Sequence, residues 1–179
     1  DRLDIILQSF FDLKKESNNF LFNIIGISSD FSKNKRINQL IKELGNNINF
    51  YGRLPHKQTV EIIKESHYIV FARDINRVTK VGFPTKVFEA FKYTVPVITN
   101  DTSDLSNFIT YKNGILLKEN TSKAFLQAFL KIDKDKNISS LQKINIANNN
   151  PFKSENFETK FREFLENISQ SEGRISYYE

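Results

Sequence analysis

The sequence lacks cysteine, methionine and tryptophan altogether and has only two histidines among its 179 residues. Without cysteine the chain has no disulfides, no thiolate-bound metal and no cysteine nucleophile, which excludes zinc ribbons, thiol proteases and thiol redox relays. His56 and His67 have no third metal ligand at a suitable spacing, so we expect no metal site. The fold must therefore be held by apolar packing, to which 17 phenylalanines contribute.

Long apolar runs are missing as well. No stretch approaches the roughly 18 apolar residues of a membrane-spanning helix, and the N-terminus has no apolar leader of a signal peptide. The composition, 39% hydrophobic and 26% charged, is that of one globular domain over residues 1–179. We expect a cytoplasmic protein, either free or at the inner face of the membrane. Because even a starting methionine is absent, we interpret the chain as a piece of a larger protein.

Acidic residues do not balance the basic ones in the first half of the chain. The net charge is +5, with 15 Lys and Arg against 10 Asp and Glu in residues 1–93, and 11 of each in residues 94–179. The basic side chains are densest between Arg73 and Lys86, where Asp74 is the only acidic residue. We therefore expect an anionic ligand at this segment. The sequence shows no recognition helix, zinc finger or RNP motif, which favours a phosphorylated small molecule over nucleic acid.

Short apolar runs alternate with longer segments of helical periodicity. We predict strands at 20–27, 48–51, 68–71, 95–99 and 114–117, and helices at 3–17, 32–44, 121–132, 138–147 and 155–169, with two more opening at Pro55 and Pro84. This alternation predicts an α/β fold with a doubly wound, Rossmann-like parallel sheet. Ligands of such sheets bind at the carboxyl ends of the strands, here the loops after residues 27, 51, 71 and 99. Because doubly wound halves normally begin with a strand, we expect one more strand before Asp1.

The last predicted helix carries a stripe of large apolar side chains on one face. Its members are Phe157, Phe161, Phe164, Leu165 and Ile168. Such a stripe is most often part of the core of its own domain, and the alternative is that it contacts a surface outside this chain.

The segment 81–100 (VGFPTKVFEAFKYTVPVITN) contains the strongest candidate for a ligand site. Gly82 permits an unusual backbone conformation, and Pro84 suits the first turn of a helix whose unpaired N–H groups attract anions. Lys86 and Glu89 lie three residues apart on one face of that helix. Beside a bound phosphate, the Glu89 carboxylate can accept two hydrogen bonds from the vicinal hydroxyls of a ribose. The spacing equally allows a surface ion pair between Lys86 and Glu89, worth a few tenths of a kcal/mol.

Several motifs of the chain together resemble one known family. A G-x-P-x-K-x-x-E-A string followed by P-V-I is formed by Gly82, Pro84, Lys86, Glu89, Ala90, Pro96, Val97 and Ile98. Weaker matches are Arg2-Leu3-Asp4 with Phe10, Ile24-Ile25-Gly26, Phe50-Tyr51-Gly52 and Asn113-Gly114-Ile115-Leu116. In this order the motifs resemble the C-terminal, donor-binding domain of GT-B glycosyltransferases, above all those of the retaining family 4, or glycosyl transferases group 1.

The resemblance implies an enzyme that moves a sugar from a nucleotide-diphospho-sugar to a glycan or lipid-linked acceptor, with retention and without a metal or other cofactor. It implies that this chain is one half of a GT-B fold and that the other half is an N-terminal, acceptor-binding domain. The helix at 152–170 would pack back toward that domain, which would also make any peripheral contact with the membrane. A bacterial polysaccharide or cell-envelope pathway is the expected setting.

Carried over residue by residue, the resemblance implies that Glu89 holds the ribose hydroxyls and that Gly52 and Arg53 line the base pocket. The backbone facing the diphosphate or the donor sugar would be that of Gly82, Phe83, Pro84 and Thr85. From charge and position we add Arg73 and Lys86 to the donor site. Lys86 and Glu89 are the catalytic candidates.

The chain departs from the family pattern at three positions. Val81 stands where the E-x7-E pair of the family has its first glutamate, Thr94 replaces the glycine of A-x-G-x-P-V, and Asp1 replaces a common lysine. Two other functions stay open: a non-catalytic nucleotide-binding or phosphate-binding module on the same fold, and a GT-B sugar-nucleotide epimerase.

Overall fold

The computed structural model describes residues 2–27 and 34–172. The helices are α1 (Leu3–Glu16), α2 (Lys35–Leu44), α3 (His56–Glu65), α4 (Arg77–Val81), α5 (Thr85–Lys92), α6 (Ser122–Lys134), α7 (Asn137–Asn149) and α8 (Glu155–Glu172). The strands are β1 (Phe22–Ile24), β2 (Ile48–Phe50), β3 (Ile69–Val70), β4 (Val97–Asn100) and β5 (Gly114–Leu117). The predicted start of the second helix at Ser32, and the loop that follows Ile27, lie outside the described residues.

All strand pairs of the described chain are parallel, and they form two sheets. One sheet has the order β2–β1 and the other the order β3–β4–β5. The predicted α/β fold with parallel, doubly wound strands is confirmed. The single sheet expected from the sequence is instead divided between β1 and β3, since neither of these strands pairs with the other.

Helices cover both faces of the strands, which gives the structure two cores. Val70, Ile98 and Leu117 belong to the first core with α1, α2 and α6, whereas their neighbours Ile69 and Val97 belong to the second with α5 and α7. Alternate side chains of a strand point to opposite faces, so strands buried on both faces need apolar residues at every position. This is why the predicted strands read as continuous apolar runs.

The first core is built around Phe10 of α1. Its ring stacks on Phe20, Phe22 and Phe129, with centroid separations of 5.1, 4.4 and 4.4 Å. Stacked aromatic pairs of this kind contribute roughly 0.5–1.5 kcal/mol beyond the area they bury. These contacts join α1 to Phe22 on β1 and to Phe129 on α6.

Helix α8 does not contribute its apolar stripe to either core. Phe157, Phe161 and Phe164 are 45%, 60% and 58% exposed, and Leu165 and Ile168 are exposed too. The prediction that this stripe is core is therefore wrong for this chain. A single earlier residue fills the place: Phe152 contacts the rings of Phe83, Phe88, Phe91 and Phe108 and completes the second core before α8 begins.

The basic segment expected as a loop at 72–83 contains the short helix α4. The side chain of Asn76 accepts a hydrogen bond from the Thr79 backbone N–H, and the Thr79 hydroxyl accepts one from the Asn76 N–H, both at 3.0 Å. This reciprocal capping box stabilises a single helical turn. Five residues are too few to show helical periodicity, so the sequence signal was confined to the cap.

Thr94 has the backbone conformation that explains the glycine usual at this position. Its φ is +59°, and α5 ends in a Schellman motif, in which Val95 N donates to Ala90 O at 2.9 Å and Thr94 N to Phe91 O at 3.1 Å. A β-branched residue in this left-handed region is strained.

We expect Thr94→Gly to raise the free energy of unfolding by about 1 kcal/mol, because it relieves that strain. Thr94→Ala is the matched control, since alanine removes the threonine side chain beyond Cβ and keeps the strained backbone. Urea denaturation of the three proteins measures the difference. If Thr94→Gly were no more stable than Thr94→Ala, the backbone at residue 94 would not be strained.

Candidate functional site

A cavity of about 1170 Å³ opens between the two sheets. Its apolar lining comes from α1, β1, α3, β3, β4 and α6, and its polar lining includes Gly26, Tyr51, Arg53, Lys86 and Glu89. Gly26 and Tyr51 follow the carboxyl ends of β1 and β2, and Lys86 lies in the first turn of α5. The chain crosses from one sheet to the other at this point, and such a switch is where open α/β sheets bind their ligands.

Three of the residues predicted from sequence meet in this cavity: Arg53, Lys86 and Glu89. The other predicted site residues are not in its described lining; they are Gly52, Arg73, Gly82, Phe83, Pro84 and Thr85. Gly26 and Tyr51 were not predicted as site residues. Their position at the carboxyl ends of two predicted strands was the signal that could have identified them.

The two glycines of the predicted site are favoured for different reasons. Gly52 has a φ of +60°, and a Cβ there would meet no atom within 4 Å, so the backbone angle favours glycine. Its carbonyl accepts a 2.6 Å hydrogen bond from Gly26 N, which joins the loops after β1 and β2. Gly82 has an ordinary φ of −81°, which corrects the expectation of an unusual conformation. A Cβ at Gly82 would lie 3.1 Å from the carbonyl oxygen of Val78, so a side chain there would be tightly packed against α4.

Arg73 connects the end of β4 to the loop before α5. Its backbone N–H donates to Asn100 Oδ1 at 2.8 Å, and its carbonyl accepts from Asn100 Nδ2 at 3.0 Å and from Asn120 Nδ2 at 2.8 Å. Its guanidinium donates to the Gly82 carbonyl at 2.8 Å. Asn100 is only 1% exposed, so these bonds are made in the interior. Arg73 thus positions the loop, in addition to the positive charge it brings near Lys86.

The start of α5 adjoins the cavity through Lys86, whereas the ring of Phe83 just before the helix packs into the second core. Pro84 occupies the cap position, and no side chain of the described residues caps the helix. The ring of Phe83 packs against Phe88 and Phe108 in the second core, at 4.9 and 5.4 Å between centroids. A helix start carries roughly half a positive charge and uncommitted N–H groups, which suits it to an anion.

Lys86 is charged in an environment that disfavours the charge. Desolvation lowers the pKa of its ammonium group, the positive charge of Arg73 lowers it further, and Glu89 acts in the opposite direction. Its Nζ lies 5.7 Å from the ring centroid of Phe71. A bound anion would relieve the repulsion from Arg73, which is typical of a functional lysine.

Among the described residues, no group of three potential metal ligands of the His, Cys, Asp or Glu type comes together. No described helix combines the length and apolar character needed to cross a membrane.

The family model of glycosyl transferases group 1 matches residues 1–150. The chain belongs to this family. The match contains both sheets and the residues Arg53, Lys86 and Glu89, and it ends before α8. No curated protein matches the sequence closely enough to be significant.

Solved glycosyltransferase structures share the fold at low sequence identity. The C-terminal domain of the group 1 protein LpcC from Francisella tularensis is 18% identical, with a TM-score of 0.65 over 79% of this chain and 73% of that one. HepE from Anabaena, in complex with UDP, is 15% identical, with a TM-score of 0.62 over 89% of this chain and 44% of its own. A TarM variant from S. aureus, in complex with fondaparinux, α-GlcNAc-glycerol and UDP, is 16% identical, with a TM-score of 0.67 over 90% of this chain and 32% of its own. The chain therefore spans less than half the length of the last two proteins.

We expect Asn100→Ala to lower the free energy of unfolding by about 2 kcal/mol, because it removes the partners of the Arg73 backbone in a buried position. Asn107→Ala, at an exposed asparagine, should change it by less than about 0.5 kcal/mol. Urea denaturation tests both variants. Equal effects would show that the Asn100 hydrogen bonds do not stabilise the loop.

Proposed function

We propose that this chain is the donor-binding part of a glycosyltransferase that transfers a sugar from a nucleotide-diphospho-sugar to a glycan or lipid-linked acceptor. The observation that carries the proposal is the meeting of Lys86, Glu89 and Arg53 in one cavity at the switch between the two sheets. Membership of the glycosyl transferases group 1 family supports it. UDP in the structures of HepE and TarM makes UDP the first nucleotide to test.

Each proposed role follows from the chemistry of the side chain. The Glu89 carboxylate accepts hydrogen bonds from both ribose hydroxyls, since an ionised carboxylate has only acceptor sites. Lys86 and the backbone N–H groups of Phe83 and Thr85 face the diphosphate, whereas Pro84 has no N–H to contribute. Gly52 and Arg53, with Tyr51 beside them, border the base.

The departing diphosphate gains negative charge as the bond to the anomeric carbon breaks, while that carbon becomes cationic. Fixed N–H dipoles and the Lys86 ammonium group stabilise the departing charge more than the ground state, which lowers the barrier. Arg73 orients Gly82 and adds positive potential. With these donors the reaction runs without a metal, and we propose that it proceeds with retention. Transferase activity measured in excess EDTA tests the independence from metal, and we expect the activity to persist.

We further propose that the apolar face of α8 contacts the acceptor-binding domain of the complete enzyme. Five large apolar side chains stay exposed on this helix, and relatives such as TarM are much longer than this chain. A cytoplasmic location, contact with the inner face of the membrane through that domain, and a bacterial polysaccharide or cell-envelope pathway stay predictions.

Titration calorimetry with UDP and UDP-sugars, on the complete enzyme, tests the donor site. Glu89→Gln and Lys86→Met should each weaken binding about tenfold, equivalent to ~1.4 kcal/mol. Lys80→Met is the matched control, because Lys80 is an exposed lysine of the basic segment outside the cavity lining. The same series with GDP-, ADP- and TDP-sugars covers other bases. Absence of binding by every nucleotide sugar would refute the proposal.

Two outcomes would favour the alternative functions. A Glu89→Gln variant that keeps its nucleotide affinity, in a protein that also binds free phosphate, would indicate a phosphate-binding module. Conversion of the donor to an epimeric sugar without any acceptor would indicate an epimerase.

The lowered pKa of Lys86 gives the donor site a pH dependence. The protonated lysine attracts the diphosphate, so UDP affinity should fall as pH rises through the pKa of Lys86, which lies below the ordinary value of 10.5. Binding above neutral pH should then take up protons, because the bound diphosphate raises that pKa. Calorimetry between pH 7 and 10 in buffers of different ionisation heat measures this uptake. The Lys86→Met variant should lose it and Lys80→Met should keep it.

Replacing Phe161 and Phe164 together by serine tests the α8 proposal. Because both side chains are exposed, we expect the stability of this chain to change by less than about 0.5 kcal/mol. Transferase activity of the complete enzyme should fall at least tenfold. An unchanged activity would contradict a role of this face in joining the domains.

A further inference from the structure

The short helix α4 and the residue before its cap expose apolar side chains to solvent. Val78 and Val81 are 76% and 81% exposed, and Ile75 is 58% exposed. Residues three apart lie on one face of a helix, so the two valines are neighbours on the surface of α4. Single exposed apolar residues are common on proteins, whereas a group of three in one short segment is typical of an interaction surface. We call these three side chains the α4 patch.

Local hydrogen bonds fix the orientation of α4. Thr79, between the two valines, is only partly exposed, and its side chain is used by the capping box with Asn76. At the other end of the helix, Gly82 N donates to Val78 O at 2.8 Å, and the Gly82 carbonyl accepts from the Arg73 guanidinium at 2.8 Å. A surface helix ordinarily turns its polar residues to solvent and its apolar residues to the core. Helix α4 has the reverse arrangement, and both of its ends are held in place.

Positive charges accompany the α4 patch. Arg77 and Lys80 each precede one of the two valines, and both are exposed. The ion pairs between described residues include neither of them. Asp74, the only acidic residue of the segment 73–86, bonds to the Arg2 guanidinium at 3.0 Å, which offsets its negative charge. The α4 patch is therefore an apolar surface with a basic rim.

The exposed apolar face of α8 has the opposite charge around it. The sequence of this helix, Glu155–Glu172, contains five glutamates against one lysine and one arginine. The cytoplasmic surface of a membrane carries anionic lipids, which attract basic segments and repel acidic ones. Charge therefore distinguishes the two faces: α8 is unsuited to an anionic membrane, and α4 is complementary to one.

An anionic bilayer satisfies both components of the α4 patch. Aliphatic side chains insert at the boundary between headgroups and acyl chains, and the cationic ends of lysine and arginine stay at the phosphates. The buried centre of a protein interface is instead depleted of charged residues. The alternation of Arg77-Val78 and Lys80-Val81 along one turn places a cation beside each apolar side chain, which favours the lipid surface.

We propose that α4 is a membrane-contact surface of this chain and that its partner is an anionic lipid bilayer. The three side chains of the α4 patch enter the headgroup boundary, and Arg77 and Lys80 bind the lipid phosphates. This contact belongs to the present chain and is separate from any contact made by an acceptor-binding domain.

The position of α4 connects this contact with the candidate site. Three residues, 82–84, separate α4 from α5, and Lys86 of α5 lines the cavity. A membrane bound at α4 is therefore close along the chain to the proposed diphosphate site. Within the proposed function, this position favours an acceptor carried by a lipid over a water-soluble glycan. This refinement rests on the proposed function, whereas the membrane contact itself does not.

Co-sedimentation of the complete enzyme with vesicles of phosphatidylcholine and phosphatidylglycerol in equal parts tests the contact. Val78→Ser combined with Val81→Ser should lower the partition coefficient about fivefold, because it removes apolar surface from the boundary. Leu141→Ser combined with Ile144→Ser is the matched control. These two aliphatic side chains are also three residues apart, on α7, and they are 64% and 59% exposed. The control should leave the partition coefficient unchanged.

A tryptophan pair tests insertion in the opposite direction. Indole side chains favour the interface between membrane and water, so Val81→Trp should raise the partition coefficient about tenfold. Ile144→Trp, at the exposed position of α7, should not raise it. A loss of local structure at α4 would not strengthen binding, so the increase separates membrane contact from a structural effect.

The basic rim is tested by the lipid dependence of binding. Arg77→Gln combined with Lys80→Gln should lower the partition coefficient onto the anionic vesicles about tenfold, because two attractive charges are lost. On vesicles of phosphatidylcholine alone, the same variant should bind as weakly as the unaltered enzyme. Added salt should weaken the binding of the unaltered enzyme to the anionic vesicles, since it screens the attraction.

Three results would overturn the proposal. The unaltered enzyme could fail to bind the anionic vesicles, or the serine variants of α4 and α7 could weaken binding equally. The α4 serine variant could also keep its vesicle affinity and lose activity toward a water-soluble acceptor, which would identify the acceptor-binding domain as the occupant of the α4 patch. The vesicle measurements contain no nucleotide and the UDP titrations contain no vesicles, so failure of this proposal and failure of the donor-site proposal are distinguishable.

Discussion

The structure depends on the burial of β4, the strand whose four residues are all buried and which is paired on both edges. Such a strand needs apolar cover on both faces, because its side chains alternate between them. Ile98 is covered from the side of α1 and α6, and Val97 from the side of α5 and α7. The same strand ends at Asn100, whose side chain holds the Arg73 backbone. The core and the loop of the candidate site are therefore organised by one element.

The candidate site contains the ammonium group of Lys86 in surroundings that disfavour its positive charge. Desolvation and the nearby Arg73 lower the pKa of Lys86, and the uncapped start of α5 adds to the positive potential. The negative charge of a diphosphate bound there would offset the repulsion from Arg73 and interact favourably with the start of α5. Glu89 lies on the same cavity and provides an acceptor for hydroxyl groups. In the proposed function, this combination matches both the charge and the diol of a nucleotide sugar.

The alternation of strands and helices, and with it the fold class, was predictable from sequence because each element has its own local periodicity. The meeting of Arg53, Lys86 and Glu89 was also predictable, since parallel strands bring their carboxyl ends to one edge. Helix α4 was missed because its signal is one capping box. The role of Arg73 in positioning Gly82 depends on Asn100, which is distant in sequence, and no local pattern shows such a partner.

The sequence by itself determined the order of elements, the absence of thiol chemistry and the position of the basic segment, since all three depend on residue identity and short-range spacing. Only the tertiary structure decided which apolar surfaces are covered. The stripe of α8 has the same composition as a core helix, yet it stays exposed, and the second core contains Phe152 in place of these side chains. Within the described residues, the facing edges of β1 and β3 are unpaired, which only the strand pairing of the structure shows. Burial of a side chain and pairing of a strand depend on segments that are distant in sequence. A local sequence pattern therefore shows that a surface is apolar but not which segment covers it.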